Sequence, residues 1–212
     1  MTETSGPALG MFGGTFDPVH VGHLIVAGDI VEGLGLDRLL VIPAGRPPHR
    51  EAVLPAPVRL SLVRRAFEGD PRIEVSDVEV RRDGPSFTVD TLSWIHQTYA
   101  PDALSLVIGV DQLETIHAWH EPGCIADLSR IVVMTREGEE PRHVARAGDL
   151  PYETLPVTRV DLSATRIRER LGRGLTVRYL VPESIREELL RAWPEAASGA
   201  EMAGNDGARS AY

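Results

Sequence analysis

The sequence predicts an α/β domain in which a doubly wound, mostly parallel sheet is covered by helices on both faces. Three observations carry that expectation. Short apolar runs alternate with stretches of helical spacing along most of the chain. The first apolar run leads directly into a glycine pair. The segments richest in polar chemistry fall just after an apolar run or at the start of a helical pattern, where ligands bind in sheets of this kind.

The elements follow in order. Residues 9–12 read as a strand, Gly13 and Gly14 as a turn, and VGHLIVAGDIVEGLG as a helix with Leu24, Val26, Ala27, Ile30 and Val31 on its apolar face. Further strands are expected over 39–42, 73–75, 104–108, 131–134 and 155–160, and further helices over 58–67, 89–99, 164–171 and 184–193. Residues 136–153 have no periodicity and carry Pro, Gly and charge, so they read as an exposed connection. The end, 194–212, is rich in Ala and Gly and poor in large apolar groups, and is expected to be a mobile tail outside a single domain over 1–193.

Composition narrows the function classes. At 212 residues, 42% hydrophobic and 25% charged, the chain sits in the range of an ordinary soluble domain. It has no long apolar stretch and no signal-like leader, so neither a membrane partner nor export is expected, and the expected location is cytoplasmic. Its one cysteine, Cys124, excludes an internal disulfide and reads as a small core residue. A net charge of −9 argues against general nucleic-acid binding. Arg170 and Arg173 read as a solvated face, whereas Arg50 and Arg168 adjoin separate motifs and read as anion binders. A homo-oligomer is compatible with the sequence, which leaves that state open.

The run GGTFDPVHVGH, from Gly13 to His23, concentrates the chemistry. The glycines let backbone approach a ligand closely, and free N–H groups at a helix start attract phosphate. His20 and His23, three apart, share one face of the helix start. A glycine pair is often only a tight turn, and His-x-x-His can supply two metal ligands. No Cys or carboxylate cluster completes such a site, so no metal site is expected. After the second strand, PAGRPPHREAVLPAPVR forms a proline-stiffened loop that offers His49 and Arg50 at the same sheet edge. Later, VDLSATRIRERL places Ser163 as a helix cap or phosphate ligand, with Thr165 and Arg168 in the first turns.

These residues carry a family resemblance. GGTFDPVHVGH resembles the T/HxGH signature of the nucleotidyltransferase superfamily, and LSATRIR resembles its ISSTxIR signature with Ala164 in place of the middle serine. The resemblance implies a Rossmann-like fold of the HxGH nucleotidyltransferase type. RRDGPSFTVDTL resembles the GxSYTxDTL pattern of bacterial nicotinate-mononucleotide adenylyltransferases, with Phe87 where tyrosine is common. VIGVDQLETIHAWHEP and PPHR are similar to two further stretches of that family. The resemblance covers roughly residues 9–193, with the five motifs in order.

The resemblance implies adenylyl transfer from ATP to nicotinate mononucleotide, giving deamido-NAD and pyrophosphate in NAD biosynthesis. It implies His20, His23 and Arg168 as catalytic residues. It implies ATP contacts at Gly13, Gly14, Thr15, Phe16, His20, His23, Gly109, Asp111, Ser163, Thr165 and Arg168. It implies acceptor contacts at Gly14, Thr15, His49, Arg50, Ser86, Thr88, Trp119 and His120. Trp119 can offer an aromatic face to a pyridine ring, though a core role for it stays open. Mg²⁺ is expected to travel with ATP. Phosphopantetheine adenylyltransferase, which shares the first motif, and a nucleotide-binding protein without turnover are the alternatives.

Overall fold

The computed structural model describes residues 6–48, 51–136 and 150–193 of the 212. Six strands form one sheet: β1 (Ala8–Gly14), β2 (Arg38–Pro43), β3 (Ile73–Val75), β4 (Ala103–Gly109), β5 (Arg130–Arg136) and β6 (Tyr152–Val157). Their spatial order is β3-β2-β1-β4-β5-β6, and every pairing is parallel. The expectation of a mostly parallel sheet thus becomes an entirely parallel one.

The strands are apolar on both faces because both are covered. Leu39, Val41, Val107 and Val132 pack with Ile30, Val31, Leu62, Val63 and Ile167 on one face. Those partners come from α1 (Val21–Leu34), α2 (Ala56–Ala66) and α7 (Ala164–Gly172), and Ile185 and Leu189 of a helix over 183–193 (α8) join them. On the opposite face Leu40, Ile42, Leu106 and Ile108 meet Leu92, Ile95, Leu113 and Ile125. These belong to α4 (Thr88–Tyr99), α5 (Val110–Thr115) and α6 (Pro122–Leu128).

The chain runs outward from β1 through β2 to β3, then returns through α3 (Val78–Arg81) and α4 to place β4 on the other side of β1. This reversal opens a crevice at the carboxyl ends of β1 and β4. The register levels those ends. Phe12 pairs with Val107, so Gly14 and Gly109 lie two residues beyond it on neighbouring strands, and Gly14 pairs with Pro43 of β2.

Several expectations need correction. The last strand covers 152–157 rather than 155–160, because the Thr158 N–H turns to the Asp29 carboxylate (2.7 Å) instead of continuing the ladder. Pro156 is tolerated there because β6 is an edge strand. Arg136, Tyr152 and Glu153, read as parts of a connection, belong to strands, and 137–149 lie outside the described residues. The short α3, α5 and α6, and a 3₁₀ turn over Ile116–Ala118, were not expected, since none spans enough turns to establish a period. Cys124 is exposed rather than part of the core. The tail over 194–212 lies outside the described residues. Among the described residues no helix is long and apolar enough to cross a membrane.

Candidate active site

The crevice begins at the glycine turn after β1. A Cβ on Gly14 would lie 3.1 Å from the ring of Phe16, so glycine lets that ring fold back beneath the turn. Phe16 itself adopts φ +48°, a left-handed conformation that costs a non-glycine residue about 1–3 kcal/mol and persists only where its surroundings enforce it. Here the enforcement is packing. The Phe16 ring is buried and meets Phe12 edge-on at 5.7 Å and His23 at 4.9 Å. Phe16, expected at the nucleotide, has its ring in the core, where it supports His23.

His20 is the N-cap of α1, and its ring stacks on that of His23 with centroids 3.7 Å apart. The His20 backbone N–H donates to His23 Nδ1 (3.1 Å), so the neutral His23 ring carries its proton on Nε2. Burial lowers the His20 pKa to about 4. Burial, and secondarily the charge of His20, lowers that of His23 to about 3. Both imidazoles are therefore neutral near pH 7, which is what permits so close a stack. Among the described residues, buried His20 Nδ1 has no hydrogen-bond partner. An unpaired buried polar atom costs about 1–3 kcal/mol, so the ring is poised for a polar ligand.

The two halves of the expected phosphate clamp meet. Ser163 caps α7, its hydroxyl accepting the Arg166 N–H (3.2 Å). The Ala164 and Thr165 amides, at the first positions of the helix, have no intrahelical acceptor and suit an anion. Arg168 reaches back across 151 positions of sequence to donate to the Asp17 carbonyl (2.7 Å), and donates also to Thr165 Oγ1 (3.1 Å). The guanidinium thus stands between α7 and the loop carrying His20.

On the other side of the crevice, Gly109 donates its N–H to Gln112 Oε1 (3.0 Å) and opens α5, with exposed Asp111 in the first turn. Trp119 is partly buried against the second core cluster, and His120 stacks on Phe87 with centroids 4.4 Å apart. That contact brings the segment 119–121 against the start of α4. Phe87 is the N-cap of α4 and supplies no capping hydrogen bond, so the amides at Thr88 and beyond keep their donor capacity.

Ser86, expected to touch the acceptor, turns its hydroxyl to the protein. It accepts the N–H groups of Gly45 (2.9 Å) and Arg46 (3.2 Å) and donates to Glu79. Ser86 thus fastens the loop after β2 to the turn before α4. A Cβ on Gly45 would collide with the Glu79 carbonyl oxygen, and only glycine allows that approach. His49 and Arg50, expected on the same loop, lie outside the described residues.

Sequence reading missed Asp17, Arg59 and Glu79, all buried beneath the site. Arg59 had a readable signal: with Leu62, Val63 and Ala66 it falls on the apolar stripe of α2, where a charge needs a reason. Glu79 accepts from Thr91 Oγ1 (2.7 Å), and its pKa is raised by burial despite the hydroxyls of Thr91 and Ser86 and the charge of Arg82.

Residues 11–170 match the cytidylyltransferase-like family model. Among similar proteins, a probable nicotinate-nucleotide adenylyltransferase of Thermomicrobium roseum is 40% identical over 190 residues, covering 86% of this chain and 89% of the relative. One of Chromohalobacter salexigens is 41% identical over 210 residues, covering 89% and 95%. Among solved structures, the Plasmodium falciparum nicotinic acid mononucleotide adenylyltransferase complexed with NaAD aligns with a TM-score of 0.71 over 87% of this chain and 95% of that one. At 14% identity, that last likeness speaks to fold.

Proposed function

The chain belongs to the cytidylyltransferase-like family, and from that premise we propose that it transfers the adenylyl group of ATP to nicotinate mononucleotide, giving deamido-NAD and pyrophosphate for NAD biosynthesis in the cytoplasm. The observation that carries this reading is the bond from Arg168 to the Asp17 carbonyl, which joins the arginine of α7 to the histidine loop. Relatives at 40% and 41% identity bearing that activity in their names supply the acceptor.

An oxygen of the mononucleotide phosphate attacks the α-phosphorus of ATP. The bond between that phosphorus and the bridging oxygen breaks, and its electron pair leaves with pyrophosphate. The second pKa of a phosphate monoester is about 6, so the nucleophile is already largely dianionic at neutral pH and no general base is required. What remains for the protein is alignment and charge stabilisation. His23, protonated on Nε2, is a neutral donor for phosphate oxygen, and His20 stacks beside it with Nδ1 unpaired among the described residues. Arg168 and the first amides of α7 receive the departing pyrophosphate. Mg²⁺ enters as part of the ATP substrate, on phosphate oxygens and water.

The uncapped start of α4 suits the acceptor carboxylate, which accepts from several N–H groups at once. An amide in its place turns its own NH₂ toward those donors, a mismatch able to discriminate by up to about four orders of magnitude. The test is pyrophosphate release from ATP with nicotinate mononucleotide, nicotinamide mononucleotide and phosphopantetheine as acceptors. Nicotinate mononucleotide is expected to give the highest kcat/KM. Preference for phosphopantetheine would move the chain to the neighbouring branch, and no release with any acceptor would leave a nucleotide-binding protein without turnover.

A further inference from the structure

Two charged side chains beneath the crevice are almost fully enclosed, Arg59 at 1% and Asp17 at 5% exposure. Their hydrogen bonds all run to main chain, and the Asp17 carboxylate also lies 3.8 Å from Arg168 Nη1. Arg59 donates from Nη1 to the Thr15 carbonyl (2.6 Å), from Nε to the Leu54 carbonyl (3.0 Å) and from Nη2 to the Gly45 carbonyl (3.2 Å). The Asp17 carboxylate accepts the N–H groups of Val53 (2.8 Å) and Leu54 (3.0 Å), while its own carbonyl accepts from Arg168. Three segments distant in sequence meet on this pair: the histidine loop, the loop between β2 and α2, and α7.

A structural demand alone does not call for buried charge, since apolar residues of similar volume fill such space at equal or lower cost. What charged, forked groups add is direction: each bond fixes a backbone carbonyl or amide at a set distance and angle. The carbonyls of Thr15 and Gly45 adjoin the strand ends that floor the crevice, and Arg168 is the cation assigned to the leaving pyrophosphate.

We propose that Asp17 and Arg59 are positioning residues that set the separation between the Arg168 clamp and the acceptor-side loop, and so the line of attack on the α-phosphorus. The proposal rests on the adenylyl-transfer reading above for its kinetic consequence, but not for its effect on ATP. Neither residue touches substrate. Their influence runs through Arg168, Thr15 and Gly45.

The test uses full-length Asp17→Asn, Arg59→Lys and the double variant, with kcat from pyrophosphate release, the ATP Kd by calorimetry, and Tm. In Asp17→Asn one acceptor oxygen becomes an NH₂ facing a backbone N–H. The resulting shift is expected to lower kcat about a hundredfold, the scale of an ångström's misplacement, and to raise the ATP Kd about tenfold through the loosened Arg168. Arg59→Lys, able to reach one carbonyl rather than three, is expected to lose about tenfold or more in kcat and carries the same test if Asp17→Asn does not fold. The double variant is expected to be within about threefold of the worse single one, as for residues acting as a unit. Folded variants with lowered Tm but wild-type kcat and ATP Kd would overturn the proposal, as would losses that multiply in the double. If the wild type turns over neither pyridine mononucleotide, the substrate reading fails separately, and the ATP Kd decides: about tenfold weaker binding in Asp17→Asn supports positioning, and an unchanged value overturns it.

Discussion

His20 and His23 divide one task between two neutral rings. Their depressed pKa values, about 4 and about 3, follow from burial, and the bond to His23 Nδ1 selects the tautomer that leaves Nε2–H as a donor. His20→Ala is expected to lower kcat at least about a hundredfold, the usual loss of one preorganised donor, with the fold retained by circular dichroism; near-normal turnover would refute the assignment. The same burial makes the protein acid-sensitive. Between the ordinary histidine pKa near 6.5 and the folded value near 4, the unfolded chain binds a proton at position 20 that the native state excludes. Native stability therefore falls as pH drops through that window, by about 1.4 kcal/mol per pH unit for this one residue. His20→Gln is expected to flatten the decline in urea-melt stability between pH 6.5 and 4.5, and parallel curves would show that burial does not hold the ring neutral. At this scale the sequence marked His20, His23 and Arg168 and hid residues buried beneath them. Asp17 and Glu79 were obscure because what fixes them, amides 36 and 37 positions away for Asp17 and a hydroxyl of another helix for Glu79, leaves no local pattern, whereas Arg59 showed on the apolar stripe of α2.

The two helix starts at the crevice are prepared differently. α7 is capped by Ser163, which leaves the Ala164 and Thr165 amides for anions, whereas α4 starts at Phe87 with no capping side chain. Ser163→Ala is expected to cost about 1 kcal/mol of stability, the usual value of a lost cap, measured as a lower urea midpoint at constant m. Its kcat is expected to fall far less than that of His20→Ala, because the hydroxyl serves the helix; equal losses would place Ser163 on the phosphates instead. The long elements were legible from periodicity, as the near agreement of α1, α4 and α7 with their expected bounds shows. The short α3, α5 and α6 were not. Each is fixed by contacts from another layer, such as the approach of Gly45 to the Glu79 carbonyl, which local pattern does not encode.

Across the whole molecule, the switch from adding strands on one side of β1 to adding them on the other, at β4, determines where the chemistry sits. It brings Gly14, Pro43 and Gly109 level at one sheet edge, so motifs spread from residue 13 to residue 168 open onto a single crevice. The alternation of strands and helices made the parallel sheet legible. Its order, and the crossing of Arg168 back to the first loop, emerge only from tertiary packing. Which bond of ATP breaks distinguishes adenylyl transfer from phosphoryl transfer. Incubating the protein with nicotinate mononucleotide and ATP labelled at the α-phosphorus, or separately at the γ-phosphorus, reads that directly. The structure predicts α-label in the dinucleotide product and γ-label in pyrophosphate; γ-label on the acceptor, or α-label retained in ADP, would contradict adenylyl transfer.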